Sequence, residues 1–105
     1  SSSNALTCVG HEAGKSGNLG TASTVIGKGA GLGANGLRNT YIGHNAGKNL
    51  TGTDNFLLGE AAGDGGSVTG TVGIGRYAFR GASASNCIGF IFFLLIFVIN
   101  KFLYL

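Results

Sequence analysis

The sequence predicts an all-β fold: a stack of 16-residue rungs forming a β-roll or β-helix, followed by a separate apolar C-terminal segment. Three observations carry this. A glycine preceded by a branched apolar residue recurs at Gly10, Gly27, Gly43, Gly59, Gly75 and Gly89, at intervals of 17, 16, 16, 16 and 14 residues. An Ala-Gly pair follows three residues after each of the first four, beginning at Ala13, Ala30, Ala46 and Ala62. Between residues 6 and 89 no stretch of useful length places its apolar residues at helical spacing.

The elements follow in order. Residues 1–5 are a polar lead-in without a signal-peptide pattern, and the chain opens on Ser1, as a processed product or a fragment would. Residues 6–89 form the repeat array. From Thr7 the repeats read TCVGHEAGKSGNLGTAS, TVIGKGAGLGANGLRN, TYIGHNAGKNLTGTDN, FLLGEAAGDGGSVTGT, VGIGRYAFRGASAS and NCIGF. Most open on a triplet rich in β-branched or other apolar residues, which reads as a strand. Glycine and asparagine then punctuate the chain as turns require. Sixteen residues accommodate two short strands and two bends, one rung that can bury its apolar side only by stacking.

Alternation within the triplets defines two ladders on opposite strand faces. Val9, Ile26, Ile42, Leu58, Ile74 and Ile88 form one; Cys8, Val25, Tyr41, Leu57, Gly73 and Cys87 form the other. Both are largely apolar, so one face is expected to line the rung interior and the other a neighbouring chain. Cys8 and Cys87 share a phase five rungs apart, roughly 24 Å at ~4.8 Å per rung. That exceeds the ~7 Å Cα limit for a disulfide, so both are expected as free thiols in small inward slots.

Bulk composition agrees with a stacked array. Glycine supplies 21 of 105 residues, and proline, methionine and tryptophan are missing. A chain so rich in glycine has little core per residue and a large ordering cost, which stacking or association must offset. The formal charge is +3, from seven scattered basic residues against four acidic ones. They form no basic track, so no nucleic-acid partner is expected.

Residues 90–105 differ in kind. Ten consecutive apolar residues run from Phe90 to Ile99; Asn100 and Lys101 interrupt them before four more apolar residues. The stretch is short for a ~20-residue bilayer span. Three readings stand: a membrane anchor, an apolar plug at the axis of an oligomer, or an aberrant end, since its composition is what A/T-rich codons encode. Phe90, Phe92, Phe93, Leu95, Ile96 and Phe97 are the residues expected to make the oligomer or membrane contact.

The stretch from Asn39 to Asn55, NTYIGHNAGKNLTGTDN, resembles the glycine-rich repeats of phage tail fibres. It is also similar to the Ile-Gly-x-x-Ala register in the heads of trimeric autotransporter adhesins. The resemblance covers about residues 6–89 and is specific as a repeat style. It implies a homotrimeric, elongated shaft or head of a virion fibre or a cell-surface adhesin. It also implies no catalytic residues within the repeats. Gly73 and Phe79 depart from the pattern.

Motifs that suggest other chemistry are absorbed by the period. Gly10–Ser16 imitates a phosphate loop but has three residues, not four, between its glycines. Its His and Lys recur at His44 and Lys48. Gly31-Leu32-Gly33-Ala34-Asn35-Gly36 matches a dinucleotide fingerprint without the helix that such a site requires. His11 and His44 lie two rungs apart, roughly 10 Å, too far to share an ion within one chain. Asn49-Leu50-Thr51 is a glycosylation sequon read here as a turn. Thr7, Thr24 and Thr40 share a phase, as in threonine ladders that bind ice, but Phe56, Val72 and Asn86 are expected at the later positions, so ice binding is not expected. No catalytic set, metal site or cofactor is expected. The expected contacts with a host-surface receptor or glycan are the polar turn residues Arg38, Asn45, Lys48, Asn49 and Asp54. The alternative is a membrane-anchored surface protein whose repeats form the ectodomain and whose residues 90–105 contact the membrane.

Overall fold

The computed structural model describes residues 5–90 as a parallel β-solenoid of about five turns, with no helix among them. Its long sheet has six strands in the order β1-β3-β5-β6-β8-β10. These are β1 (Thr7–Val9), β3 (Thr24–Ile26), β5 (Thr40–Ile42), β6 (Phe56–Leu58), β8 (Val72–Ile74) and β10 (Ile88–Phe90). A second sheet closes the other side. It contains the pair β2 (Asn18–Leu19) and β4 (Asn35–Gly36), and the pair β7 (Ser67–Thr69) and β9 (Ser83–Ser85). Thr51 joins the pairs by single bridges to Asn35 and Ser67. Each coil thus holds one three-residue strand and one pairing segment of one to three residues, the two strands and two bends read from the repeat.

The register is constant. Thr24, Thr40, Phe56, Val72 and Ile88 follow one another at 16 residues, and only the first step, Thr7 to Thr24, spans 17. The extra residue is Gly20. Leu19 still pairs with Gly36, and the Arg38 N–H donates to Thr21 O as the Asp54 N–H donates to Leu37 O.

Constant register corrects the phase of the last repeat. Gly89 lies opposite Gly73, not in the column of Gly75, and Ile88 lies opposite Val72. The period therefore does not shorten. Pairing of Ser83, Ala84 and Ser85 with Ser67, Val68 and Thr69 keeps the coil at 16 residues, which leaves Gly89 two residues short of the anchor-glycine column that its local Ile-Gly motif suggested. Cys87 consequently leaves the column of Cys8 and joins that of Thr71, and Ile88, not Asn86, follows Val72 in the threonine column. Strand β10 runs on through Phe90.

Of the two apolar ladders, the one at the strand centre faces inward. Val25, Tyr41 and Leu57 are fully buried, and Leu19, Leu50 and Val68 meet them from the second-sheet side of the coil. Burying each such side chain contributes ~1.5–3 kcal/mol. The other ladder faces out: Val9 is 55% and Ile26 37% exposed. Both thiols are free. Cys8 occupies the inward column but is exposed in the first coil, and Cys87 packs at the edge of the core while its thiol donates to Ser85 O.

After the anchor glycines Gly27, Gly43, Gly59 and Gly75 the backbone makes three overlapping hydrogen-bonded turns. In the third coil the N–H groups of Ala46, Lys48 and Leu50 donate to the carbonyls of Gly43, Asn45 and Gly47. The third residue of each turn has positive φ: Asn45 at 60°, Gly47 at 68° and Asn49 at 54°. This is the type II pattern, and it explains why Gly and Asn recur at those positions. The intervening N–H groups of Asn45, Gly47 and Asn49 donate to Lys28, Ala62 and Leu32, so the turns also bond from coil to coil. The anchor glycine is a matter of contact as well as conformation. Gly43 has φ of 134°, and a Cβ there would lie 2.6 Å from the Gly59 carbonyl oxygen.

A buried polar column closes the corner before the long sheet. Asn55 donates from its backbone N–H and its side-chain amide to Asn39 Oδ1, both at 3.1 Å, and from the amide again to Val68 O at 2.8 Å. Its Oδ1 accepts the Thr71 N–H at 3.1 Å. Asn39 in turn donates to Ser23 Oγ and to Gly52 O. Coil ends that would otherwise bury unsatisfied amides are thereby paired.

Gly73 and Phe79 turn out to be one feature. In the other coils a large inward side chain at the strand centre sits beside a glycine of the turn, as Tyr41 does beside Gly47 and Leu57 beside Gly63. The fifth coil exchanges the sizes. Gly73 leaves the strand slot empty and the Phe79 ring fills it from the turn, buried to 5% exposure. A Cβ on Gly73 would stand 2.9 Å from Phe79 Cδ2.

Candidate functional site

Columns of outward polar side chains, one per coil, are the most organised chemical feature outside the core. Arg38 and Asp54 occupy one column at the corner before the long sheet. Arg38 donates from Nε to Asp54 Oδ1 at 2.6 Å and from its terminal nitrogen to Oδ2 at 3.2 Å. Both side chains are about half exposed. The guanidinium's hydrogen bond, and then its charge, hold the Asp54 carboxyl below its ordinary range, and the carboxylate raises the Arg38 guanidinium reciprocally.

Asn45, Lys48 and Asn49 lie on the run of turns. Asn45 and Asn49 take positive φ, and their Oδ1 atoms stack over Gly29 and Gly33 of the preceding coil. Their role begins as a conformational one; the part that reaches solvent is secondary. Lys48, between them, is half-buried. The five residues expected as contacts therefore fall on two separate features, the Arg38–Asp54 corner and the turn run.

Of a third column, sequence singled out only His11 and His44. His11, Lys28, His44, Glu60 and Arg76 each follow an anchor glycine. Glu60 joins two coils at once: its Oε2 lies 3.4 Å from His44 Nδ1 and its Oε1 2.9 Å from Arg76 Nε. Arg76 also donates to the Tyr77 hydroxyl at 3.0 Å, and the guanidinium carbons of Arg76 and Arg80 stand 4.5 and 4.8 Å from the Tyr77 ring centre. The signal was present in the 16-residue spacing of His44, Glu60 and Arg76. It is invisible to a search for neighbouring carboxylates, because each partner comes from the next coil. In the first coil, Glu12 pairs with Lys15 at 3.1 Å and is held below its ordinary range chiefly by that hydrogen bond.

The nucleotide-like motifs have no cradle to offer. Within Gly10–Ser16 the N–H groups of Ala13, Gly14 and Lys15 are bonded to the carbonyls of Gly10, Ala30 and Glu12. Gly31–Gly36 is a turn running into β4. Among the described residues no group of three His, Cys, Asp or Glu could hold a metal ion, and no helix is long and apolar enough to cross a membrane. Phe92, Phe93, Leu95, Ile96 and Phe97, and with them the membrane and plug readings, lie outside the described residues; Phe90 ends β10 and is 53% exposed.

Compared with known proteins, the chain matches no family model, no curated protein and no solved structure.

Proposed function

We propose that residues 6–89 are a segment of a structural, adhesive fibre of a virion or cell surface. Copies associate as a homotrimer and present repeated polar turns to a host-surface receptor or glycan. The observation that carries this reading is repetition of the outward polar columns: each coil brings one side chain per column, ~4.8 Å from the last. Such a surface suits many weak, equivalent contacts whose sum is avidity. The cross-coil pairs Arg38–Asp54 and His44–Glu60–Arg76 restrict these long side chains before any ligand arrives, which lowers the ordering cost of binding. The columns carry charge and hydrogen-bonding groups of both signs, the complement of a polar, sugar-like or peptide surface.

Native mass spectrometry and light scattering on the full chain test this. Three copies are expected in the assembled particle. A stable monomer at micromolar concentration refutes the proposal.

A further inference from the structure

We propose that Arg76, Tyr77 and Arg80, on the turn run of the fifth coil, bind a sugar that carries a carboxylate. The inference rests on the adhesive reading above and adds the residues and the class of ligand. Three observations lead to it.

The first is a ring held where the core gains nothing from it. Tyr77 has φ of 66°, in the left-handed region that a bulky side chain rarely occupies. The same phase holds Gly29, Asn45 and Ala61 in the three coils before it, at 71°, 60° and 57°. Phe79 bears the same cost two residues later and fills the core in return, whereas Tyr77 is 39% exposed. A strained residue that the core does not need points to function.

The second is how the ring is framed. The guanidinium carbons of Arg76 and Arg80 stand over it. Arg76 is tied down by Glu60 and by the Tyr77 hydroxyl. Arg80 is not. It follows Asp64 at the distance of one coil, since the Gly81 N–H donates to Asp64 O at 2.8 Å. Yet among the described residues the Arg80 guanidinium pairs with no carboxylate. A guanidinium over a ring keeps its in-plane N–H fork for a planar, bidentate acid.

The third is charge. Glu60 and Asp64 stand one coil before Arg76 and Arg80, so the patch balances two positive side chains with two negative ones. It holds no net field to gather a dense polyanion. A single carboxylate on the Arg80 fork is accommodated, and the ionised acids, acceptors only, take hydroxyl donors beside it. The exposed part of the Tyr77 ring adds an apolar surface with a polar tip, which suits the C–H face of a pyranose. One carboxylate, several hydroxyls and a C–H face together describe an acidic sugar.

The test uses the full chain with an oligogalacturonate, its uncharged methyl ester and single-stranded DNA, titrated by calorimetry at low salt. The acid should bind, and the ester about tenfold more weakly, the share of one charged pair. Arg80→Lys keeps the charge and loses the fork. Tyr77→Asn loses the ring and keeps the turn, as Asn45 does at the same phase. Each should weaken binding of the acid about tenfold at unchanged circular dichroism. Lys15→Gln, which removes a charge at the phase of Arg80 in the first coil, should leave it unchanged. Equal binding of acid and ester overturns the acidic class while leaving adhesion to sugars intact. An equal loss in Lys15→Gln, or tighter binding of the DNA than of the acid, reduces the attraction to net charge and also overturns the inference. A chain that binds neither sugar overturns it in any state of assembly, because the homotrimer is read separately by native mass spectrometry.

Discussion

Exchanging Gly73 and Phe79 back to the arrangement of the other coils should cost little, although each single change costs much. Phe79→Gly removes a ring buried to 5% exposure. Emptying such a site destabilises by ~3–5 kcal/mol, less ~1 kcal/mol recovered because glycine relieves the left-handed backbone at residue 79, whose φ is 57°. Gly73→Leu alone must fit a side chain whose Cβ would start 2.8 Å from Leu57 Cδ2 and 2.9 Å from Phe79 Cδ2. Overpacking of this kind costs ~1–3 kcal/mol. If the sites were independent, the double variant would lose roughly 3–7 kcal/mol, enough to unfold a chain of ordinary 5–15 kcal/mol stability. In the structure they share one cavity, and a leucine on the strand beside a glycine in the turn would recreate the Leu57–Gly63 pair. The double variant should therefore lie within about 1 kcal/mol of the parent, a coupling at or above the usual ~0.5–3 kcal/mol for contacting residues. Urea unfolding followed by circular dichroism, at one fixed chain concentration because association shifts apparent stability, measures all four members of the cycle. Additive losses in the double variant would refute the exchange.

Three further outcomes follow from the same geometry. Asn55→Ala should lower stability by about 2–4 kcal/mol, since it orphans the Thr71 N–H and Val68 O inside the coil; a change below about 0.5 kcal/mol in urea midpoint analysis would contradict the buried column. Tyr41→Phe should be neutral or stabilising, and thermal melts check it. The Tyr41 hydroxyl is buried without a hydrogen-bond partner, because both amide hydrogens of Asn55 are already donated to Asn39 and Val68, and burial pushes its ionisation well above the ordinary range. With acid, the depressed Asp54 and Glu12 carboxyls stabilise the fold above the ordinary carboxylate range, near pH 4. That contribution is lost as pH falls through their lower folded values. Melting temperature should therefore decline below about pH 4, and Asp54→Asn should flatten the decline slightly, as suits an exposed pair.

The sequence by itself determined the stacking. A 16-residue period, strand triplets and regularly placed Gly and Asn are local properties of the chain, and they survive translation into coils, parallel strands and type II turns. Even the 17-residue first step was legible as a number, though not as the accommodation of Gly20. The candidate surface was legible only as polar turns. Which of them pair depends on coil-to-coil contact, so Arg38 with Asp54 and Glu60 with both His44 and Arg76 emerge only when coils are superposed.

Tertiary structure decided the rest, because it concerns closure. Both faces of each strand triplet are apolar, and alternation alone gives them equal claims to the interior. The second sheet closes over one side only, so Val25, Tyr41 and Leu57 are buried and Ile26 and Phe56 are left outside. Closure also fixes the coil length: β9 stays in register with β7, and Gly89 is carried to Gly73 against its own local motif. Phe79 looked like a break in the repeat for the same reason. A one-dimensional pattern records which residue is present at each phase, whereas a core records only whether the volume is filled, and from either side Phe79 fills it.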